Sequence, residues 1–305
     1  MSESAIREGV RALRHGGPGV AMELLSRAYY TYGRRTDGDV VLERDWDVLV
    51  VLDACRADLM AAVADDHAWL RTEGPIQSVG ATSSEWLTET FGSVPTGALD
   101  EIGYVTGNPY SAEHVDHDAF AFVDEVWEYG WDDDLGTVPA RPITDRAVAA
   151  GRERDAERLV VHYMQPHFPS VPRGEGDGIP LERFGRESLS VWEELRYGWR
   201  DRADVWAAYI ENLEYVLDEV RLLTENIDAE RVAVTADHGN ALGERHLYGH
   251  VGGVSTPELR EVPWCVTSAS DTGDHRPTTH HATDGGAGEA TDEAVAARLE
   301  ALGYR

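Results

Sequence analysis

The stretch that most constrains the fold is Arg231-Val-Ala-Val-Thr-Ala-Asp237-His238-Gly239. Small and β-branched residues from Val232 to Ala236 stop abruptly at an acid, an imidazole and a glycine, the pattern of a buried strand with a polar carboxyl end. In an open α/β sheet, ligands bind outside the carboxyl ends of the strands. Carboxylate and imidazole are both good ligands for a divalent cation, and a glycine-rich loop carrying His246 and His250 follows. An isolated Asp-His-Gly is more often a solvated strand end, so the other strands decide its meaning.

Two further runs end in the same manner. Asp47-Val-Leu-Val-Val-Leu-Asp53 is apolar on both faces, which predicts a central parallel strand with Asp53 at its tip. Ala54-Cys55-Arg56-Ala57-Asp58 then leads into a helix through Leu59, Met60 and Val63. Arg158-Leu-Val-Val-His162 predicts a third strand, and the prolines of Pro166-His167-Phe168-Pro169 stiffen the turn that holds His167 beyond it. Between them, Thr82-Ser83-Ser84-Glu85 has the spacing of a capping box and predicts a helix start. A hydroxyl there faces unpaired amides and the positive end of the helix, which suits an anionic ligand. Beside a metal it becomes a candidate nucleophile. Thr82 and Ser83 both stand as candidates, with the capping spacing favouring Thr82.

The remaining chain alternates helix and strand. Gly103 to Thr106 reads as a short strand, and Trp206 to Leu223 as a long amphipathic helix. Val262 to Thr267 reads as a strand whose Pro263 belongs at an edge or at the strand start. Residues 111–138 read as surface loops and short helices, 170–200 as a loop over the site, 268–290 as a mobile loop and Glu293 to Leu302 as a closing helix.

Charge narrows the partners. The 305 residues carry a formal charge of -29, and all 27 basic residues are arginine. Such self-repulsion is tolerable where salt shortens the screening length to about 3 Å at molar concentration, which implies a salt-rich cytoplasm. It excludes nucleic acid, whose phosphates the surface would repel. Two cysteines, Cys55 and Cys265, lie in or beside apolar runs and read as buried fillers, not a disulfide framework. Residues 1–35 lack the apolar segment of a leader and no run is long enough to span a membrane, so a cytoplasmic address is expected.

Those same residues 1–35 hold six arginines against three glutamates; this +3 leaves -32 for residues 36–305. Val20, Leu24, Leu25, Ala28 and Tyr29 can share one helical face. Such an arm suits an anionic membrane surface or an acidic patch on a partner; packing on the domain's own acidic surface is the preferred reading. The expected division is a basic helical arm, 1–36, and a catalytic domain, 37–305.

Taken in order, these motifs resemble the alkaline phosphatase superfamily in its sulfatase-like hydrolase and transferase branch. Val-Leu-Asp53-Ala-Cys-Arg56-Ala-Asp58 is similar to the opening metal motif, and Thr82-Ser83 stands where the family places its nucleophile. His162-Tyr-Met-Gln-Pro-His167-Phe-Pro resembles the Pro-His-x-Pro segment. Thr-Ala-Asp237-His238-Gly, with Leu-Gly-Glu-Arg-His-Leu-Tyr-Gly-His250, resembles the second metal segment. The resemblance implies a three-layer α/β sandwich with a mostly parallel central sheet and helices on both faces. It implies one divalent metal on Asp53, Asp237 and His238, with Mn²⁺ or Zn²⁺ favoured and Ca²⁺ or Mg²⁺ possible. Arg56, His167 and His250 are then expected to contact the anionic ester or protonate its leaving group. The Cys/Ser-x-Pro-x-Arg motif of sulfatases is absent, which favours phosphoester or phosphonoester chemistry over sulfate. The alternatives are a sulfate-ester hydrolase acting on glycans and a non-catalytic member that keeps the fold. The expected partner is a small-molecule, glycan-linked or lipid-linked anionic ester, with peripheral membrane contact through residues 1–35 as a further possibility.

Overall fold

The computed structural model describes residues 19–33, 37–92, 94–95, 97–153, 156–174 and 190–280. Nine strands and nine α-helices are named among them here. They are α1 (Gly19–Ala28), β1 (Val48–Leu52), α2 (Ala57–Val63), β2 (Arg71–Gln77), α3 (Ser83–Phe91), β3 (Ile102–Thr106), α4 (Ser111–His114), β4 (Phe122–Glu125) and α5 (Trp127–Gly130). Then follow α6 (Ala140–Glu153), β5 (Arg158–Tyr163), α7 (Val191–Arg196), α8 (Arg202–Thr224), β6 (Ala229–Thr235), β7 (Ala241–Leu242), β8 (Tyr248–Gly249), α9 (Pro257–Arg260) and β9 (Glu261–Ala269).

A seven-stranded sheet in the order β2-β9-β6-β1-β5-β3-β4 forms the middle layer, flanked by helices in the expected three-layer sandwich. β6, β1, β5, β3 and β4 run parallel. β9 is antiparallel to both β6 and β2. The parallel strands sit centrally because their residues are apolar on both faces: all five of β1 are buried, as are all five of β3. A strand of this type is stable only with a helix layer on each side to take it out of water.

Two details of the sheet depart from expectation. β2, Arg-Thr-Glu-Gly-Pro-Ile-Gln, carries no apolar alternation and is mostly exposed, yet it forms the edge beside β9. β9 is therefore interior, although it contains Pro263. Pro263 is its third residue, two before Cys265, the first β9 residue in register with β6, so it stands at the strand start. In the stretch expected to be wholly loop, Val191–Arg196 is helical, opened by a reciprocal capping box between Ser190 and Glu193.

Residues 270–280, expected to move freely, are tied down. Asp145 of α6 is fully buried and accepts from His275 Nε2 at 2.6 Å and from the amides and hydroxyls of Thr278 and Thr279 at 2.9–3.0 Å. Arg152, two turns further along α6, forks onto both oxygens of Asp271 at 2.8 and 2.9 Å. The helix expected at Glu293 to Leu302, with residues 281–290 before it, lies outside the described residues.

Candidate active site

Two strand tips meet at one point. β1 ends in Asp53, β6 in Asp237 and His238, and all three side chains are fully buried. One ligand atom from each falls within 4.8 Å of the others, the one such group among the described residues. His238 Nε2 lies 3.6 Å from Asp53 Oδ1 and 3.5 Å from Asp237 Oδ2. Ligands held about 2.1 Å from a tetrahedral ion stand roughly 3.4 Å apart, so these spacings suit direct coordination.

Local backbone geometry aims the donors. Ala54 adopts a left-handed φ of 63°, a costly conformation for a residue with a Cβ. It turns the Ala54 amide onto Asp237 Oδ1 at 2.9 Å, and the His238 amide meets the same oxygen at 2.8 Å. The other oxygen, Asp237 Oδ2, is buried with no hydrogen bond of normal geometry among the described residues. Burial alone would raise this carboxyl, but the imidazoles of His238 and His162 and the Ala54 amide hold it below the usual carboxylate range. His238 Nδ1 donates to the Gly239 carbonyl at 3.0 Å, leaving Nε2 with its lone pair towards both acids. Gly239 is required there: a Cβ would stand 2.3 Å from the Glu258 carbonyl oxygen. A carboxylate oxygen lacking a donor and an imidazole held in the ligating tautomer fit a divalent cation.

The hydroxyl that reaches this point is Ser83. Its Oγ is buried, 3.3 Å from His238 Nε2 and 3.5 Å from Asp53 Oδ2. Thr82 is occupied otherwise: it is the N-cap of α3, and its Oγ1 accepts the Glu85 amide at 3.3 Å and pairs with Ser84 Oγ at 3.1 Å. Glu85 reaches back to the Ala81 amide at 2.9 Å, one residue before the cap. The expected capping pattern thus forms, and it commits Thr82 to the helix while presenting Ser83 at its first turn.

The remaining expected residues divide. His167 and His250 gather on the centre, their rings 5.2 Å apart and that of His250 4.8 Å from His238. His167 Nδ1 donates to the Phe168 carbonyl at 2.5 Å, and His250 Nδ1 donates to Asn240 Oδ1 at 2.9 Å. Burial pushes the His167 imidazole down to about 4 and that of His250 well below its ordinary value, so both are neutral with Nε2 as acceptor. Arg56 does not reach this cluster through any recorded bond. Its Nε and Nη2 fork onto Asp58 at 2.8 and 2.6 Å, and Nη1 donates to the Asn240 carbonyl at 2.9 Å and Glu244 at 3.1 Å. It pins the loop that carries His250.

Two residues at the site escaped sequence reading. Asn108, beyond β3, donates its Nδ2 to Asp53 Oδ2 at 3.0 Å. The signal was the strand-then-Gly-Asn-Pro turn, the fourth strand tip at this edge. Tyr104 bonds His162 Nδ1 at 2.9 Å, and His162 Nε2 in turn lies 3.8 Å from Asp237 Oδ2. That link joins residues of three strands and has no sequence spacing to betray it.

No family model matches the chain, and no curated protein matches its sequence. Among solved structures, it superposes on the lipooligosaccharide phosphoethanolamine transferase A of Neisseria meningitidis, an integral membrane protein, with a TM-score of 0.52 and 14% identity. The alignment covers 79% of this chain and 50% of that one, so the chain spans half the length of this neighbour. The soluble domain of the same transferase gives 0.52 at 16% identity, covering 75% and 77%. The fold is that of the sulfatase-like branch of the alkaline phosphatase superfamily. A structure solved with its substrate D-glucosamine-2-N,6-O-disulfate matches with a TM-score of 0.47 and 12% identity over 86% of this chain and 77% of that one.

In this sulfatase-like frame the cytoplasmic expectation is corrected. The neighbours above include a membrane-embedded transferase and its soluble domain, which points away from the cytoplasm. The missing apolar leader, on which the expectation stood, decides nothing for a chain that covers half of such a protein. No described helix is long and apolar enough to cross a membrane.

Proposed function

We propose that the chain is a metal-dependent hydrolase or transferase of anionic esters, phosphoester before sulfate ester, acting through Ser83. The observation that carries the reading is the placement of Ser83 Oγ within 3.5 Å of both Asp53 and His238, beside the unmet Asp237 Oδ2. Asp53, Asp237 and His238 would hold the cation, and two carboxylates with an imidazole favour Zn²⁺ or Mn²⁺. When bound, the cation lowers the pKa of the serine hydroxyl and offsets charge on the ester oxygens.

The chain's own residues supply the rest. Ser83 sits at the positive end of α3, where the helix amides favour an anionic group. In the first half-reaction Ser83 Oγ bonds to phosphorus, and the ester oxygen departs with the proton the serine loses. In the second, a water or acceptor alcohol gives its proton to His167 or His250 Nε2 and attacks the phosphoserine; the P–Oγ bond breaks, and that proton passes from the imidazolium to Ser83 Oγ, which restores the hydroxyl. Neutral imidazoles with Nε2 as acceptor suit this proton uptake better than the leaving-group protonation expected from sequence. A phosphoserine can be released by water, whereas a sulfated serine without the formylglycine motif is hard to hydrolyse; this favours phosphorus. We assign the catalytic domain to residues 37–305, a salt-rich setting to its -32 charge, and a glycan- or lipid-linked ester to its substrate.

A panel of aryl phosphate, phosphodiester, phosphonate and sulfate esters tests this in high salt with Mn²⁺, Zn²⁺ or Ca²⁺. The expected result is turnover of a phosphorus ester that falls at least about a thousandfold in Ser83→Ala. Thr82→Ala is expected to keep most turnover and to lose about 1 kcal/mol of stability with its cap. Turnover of sulfate alone, or loss in Thr82→Ala with survival in Ser83→Ala, overturns the assignment.

A further inference from the structure

The first described helix is built inside out. In α1 the acid Glu23 is turned inward, 6% exposed, while Leu24 and Leu25 are 60% and 65% exposed. Met22, Tyr29 and Tyr32 are also exposed, the last at 87%. A helix on an acidic, water-facing surface would do the reverse. The apolar face is therefore not what holds α1 against the domain. Glu23 holds it, accepting from Arg27 at 2.7 Å and from Arg196 of α7 at 3.0 Å.

The turn after α1 is fastened to the rim of the site. Tyr30 accepts from Arg245 Nε at 3.0 Å, and its carbonyl accepts the Ser255 amide at 3.2 Å. Its ring packs on a small cluster of Ala81, Ala241, Leu247, Val254 and Leu259. Ala81 is two residues from Ser83, and Leu247 and Val254 bracket His250. Trp199, also exposed, lies three residues beyond Arg196. The turn that follows this apolar surface is thus fastened on both sides of His250, to Arg245 and to Ser255.

We propose that the outward face of α1 and of the turn after it (Met22, Leu24, Leu25, Tyr29 and Tyr32) docks on a lipid bilayer and holds the loop that carries His250 near the membrane surface. Leucines beside tyrosines match the acyl boundary and the headgroup layer respectively. Charge agrees: residues 1–35 carry +3, with Arg7, Arg11 and Arg14 preceding the helix, against -32 for the remainder. An anionic leaflet attracts this end of the chain alone and so sets its orientation. Below molar salt a second copy is disfavoured as occupant, because each would bring -29 to the contact. The inference does not depend on the chemistry at Ser83.

Flotation of the full chain with vesicles of equal parts phosphatidylcholine and phosphatidylglycerol, in a salt series from about 0.1 M upward, tests it. The wild type is expected to rise with the vesicles, and L24E/L25E to bind at least about tenfold more weakly, since each change removes a leucine from burial in lipid. An unchanged circular dichroism melt shows that the variant is folded, and turnover of a water-soluble ester is measured separately. Wild type that stays with the free protein, or a variant that floats equally well, overturns the proposal. So does a lipid-free dimer that the variant converts to monomer, which makes a second copy the occupant.

Discussion

His162 is the residue whose titration the fold alters in the most testable way. It is fully buried at the end of β5, and burial pushes its imidazole down to about 4, against the opposing pull of Asp237. The unfolded chain takes up that proton nearer pH 6.5, so the unfolded state binds more protons between those two values. Stability is unaffected by this group above about pH 6.5 and falls as pH drops towards 4. Between pH 7 and 5 the loss from His162 alone is about 2 kcal/mol. Urea unfolding at the two pH values, with a chelator present, should show that loss in the wild type and about 2 kcal/mol less of it in His162→Gln. Equal losses in both proteins would contradict the buried neutral imidazole. Sequence showed that His162 closes an apolar run; it could not show Tyr104 and Asp237 on either side, which come from strands about sixty and seventy-five residues away. The choice between Thr82 and Ser83 was illegible for a related reason. The capping spacing singles out Thr82, and a capping hydroxyl is one already in use.

At the scale of elements, legibility followed burial. β1, β3, β5 and β6 announce themselves because a strand between two helix layers must be apolar throughout. β2 gave no signal, since an exposed edge strand need not alternate and this one contains Gly74 and Pro75. The segment 270–280 was misjudged because its polar composition suits solvent equally well as it suits a buried acid. That segment satisfies Asp145 with five donors from residues more than 125 positions away. Asp145→Ala leaves those donors without their acceptor and should cost about 3 kcal/mol, with faster amide exchange at Thr278 and Thr279. Thermal unfolding and hydrogen exchange check it. Protection of both threonine amides unchanged in the variant would mean the acid does not hold the strap.

For the whole molecule, the governing problem is charge. A chain of -29 would have to overcome its own field to bind the anionic ester proposed for it. Its site does not do so with side chains: Asp53 and Asp237 are acids, Arg56 is engaged by Asp58 and Glu244, and His167 and His250 are neutral. A cation at the two strand tips would resolve the conflict, and the central claim is that these tips hold one. Metal content by elemental analysis, after dialysis against Zn²⁺ or Mn²⁺ and then buffer, tests it most directly. Asp237→Asn is the informative variant, because an amide oxygen can still accept from Ala54 and His238 while Oδ2 is replaced by a poor ligand. The account predicts one divalent ion per wild-type chain and its loss in folded Asp237→Asn. A metal-free wild type, or a variant that keeps its full metal content, contradicts it.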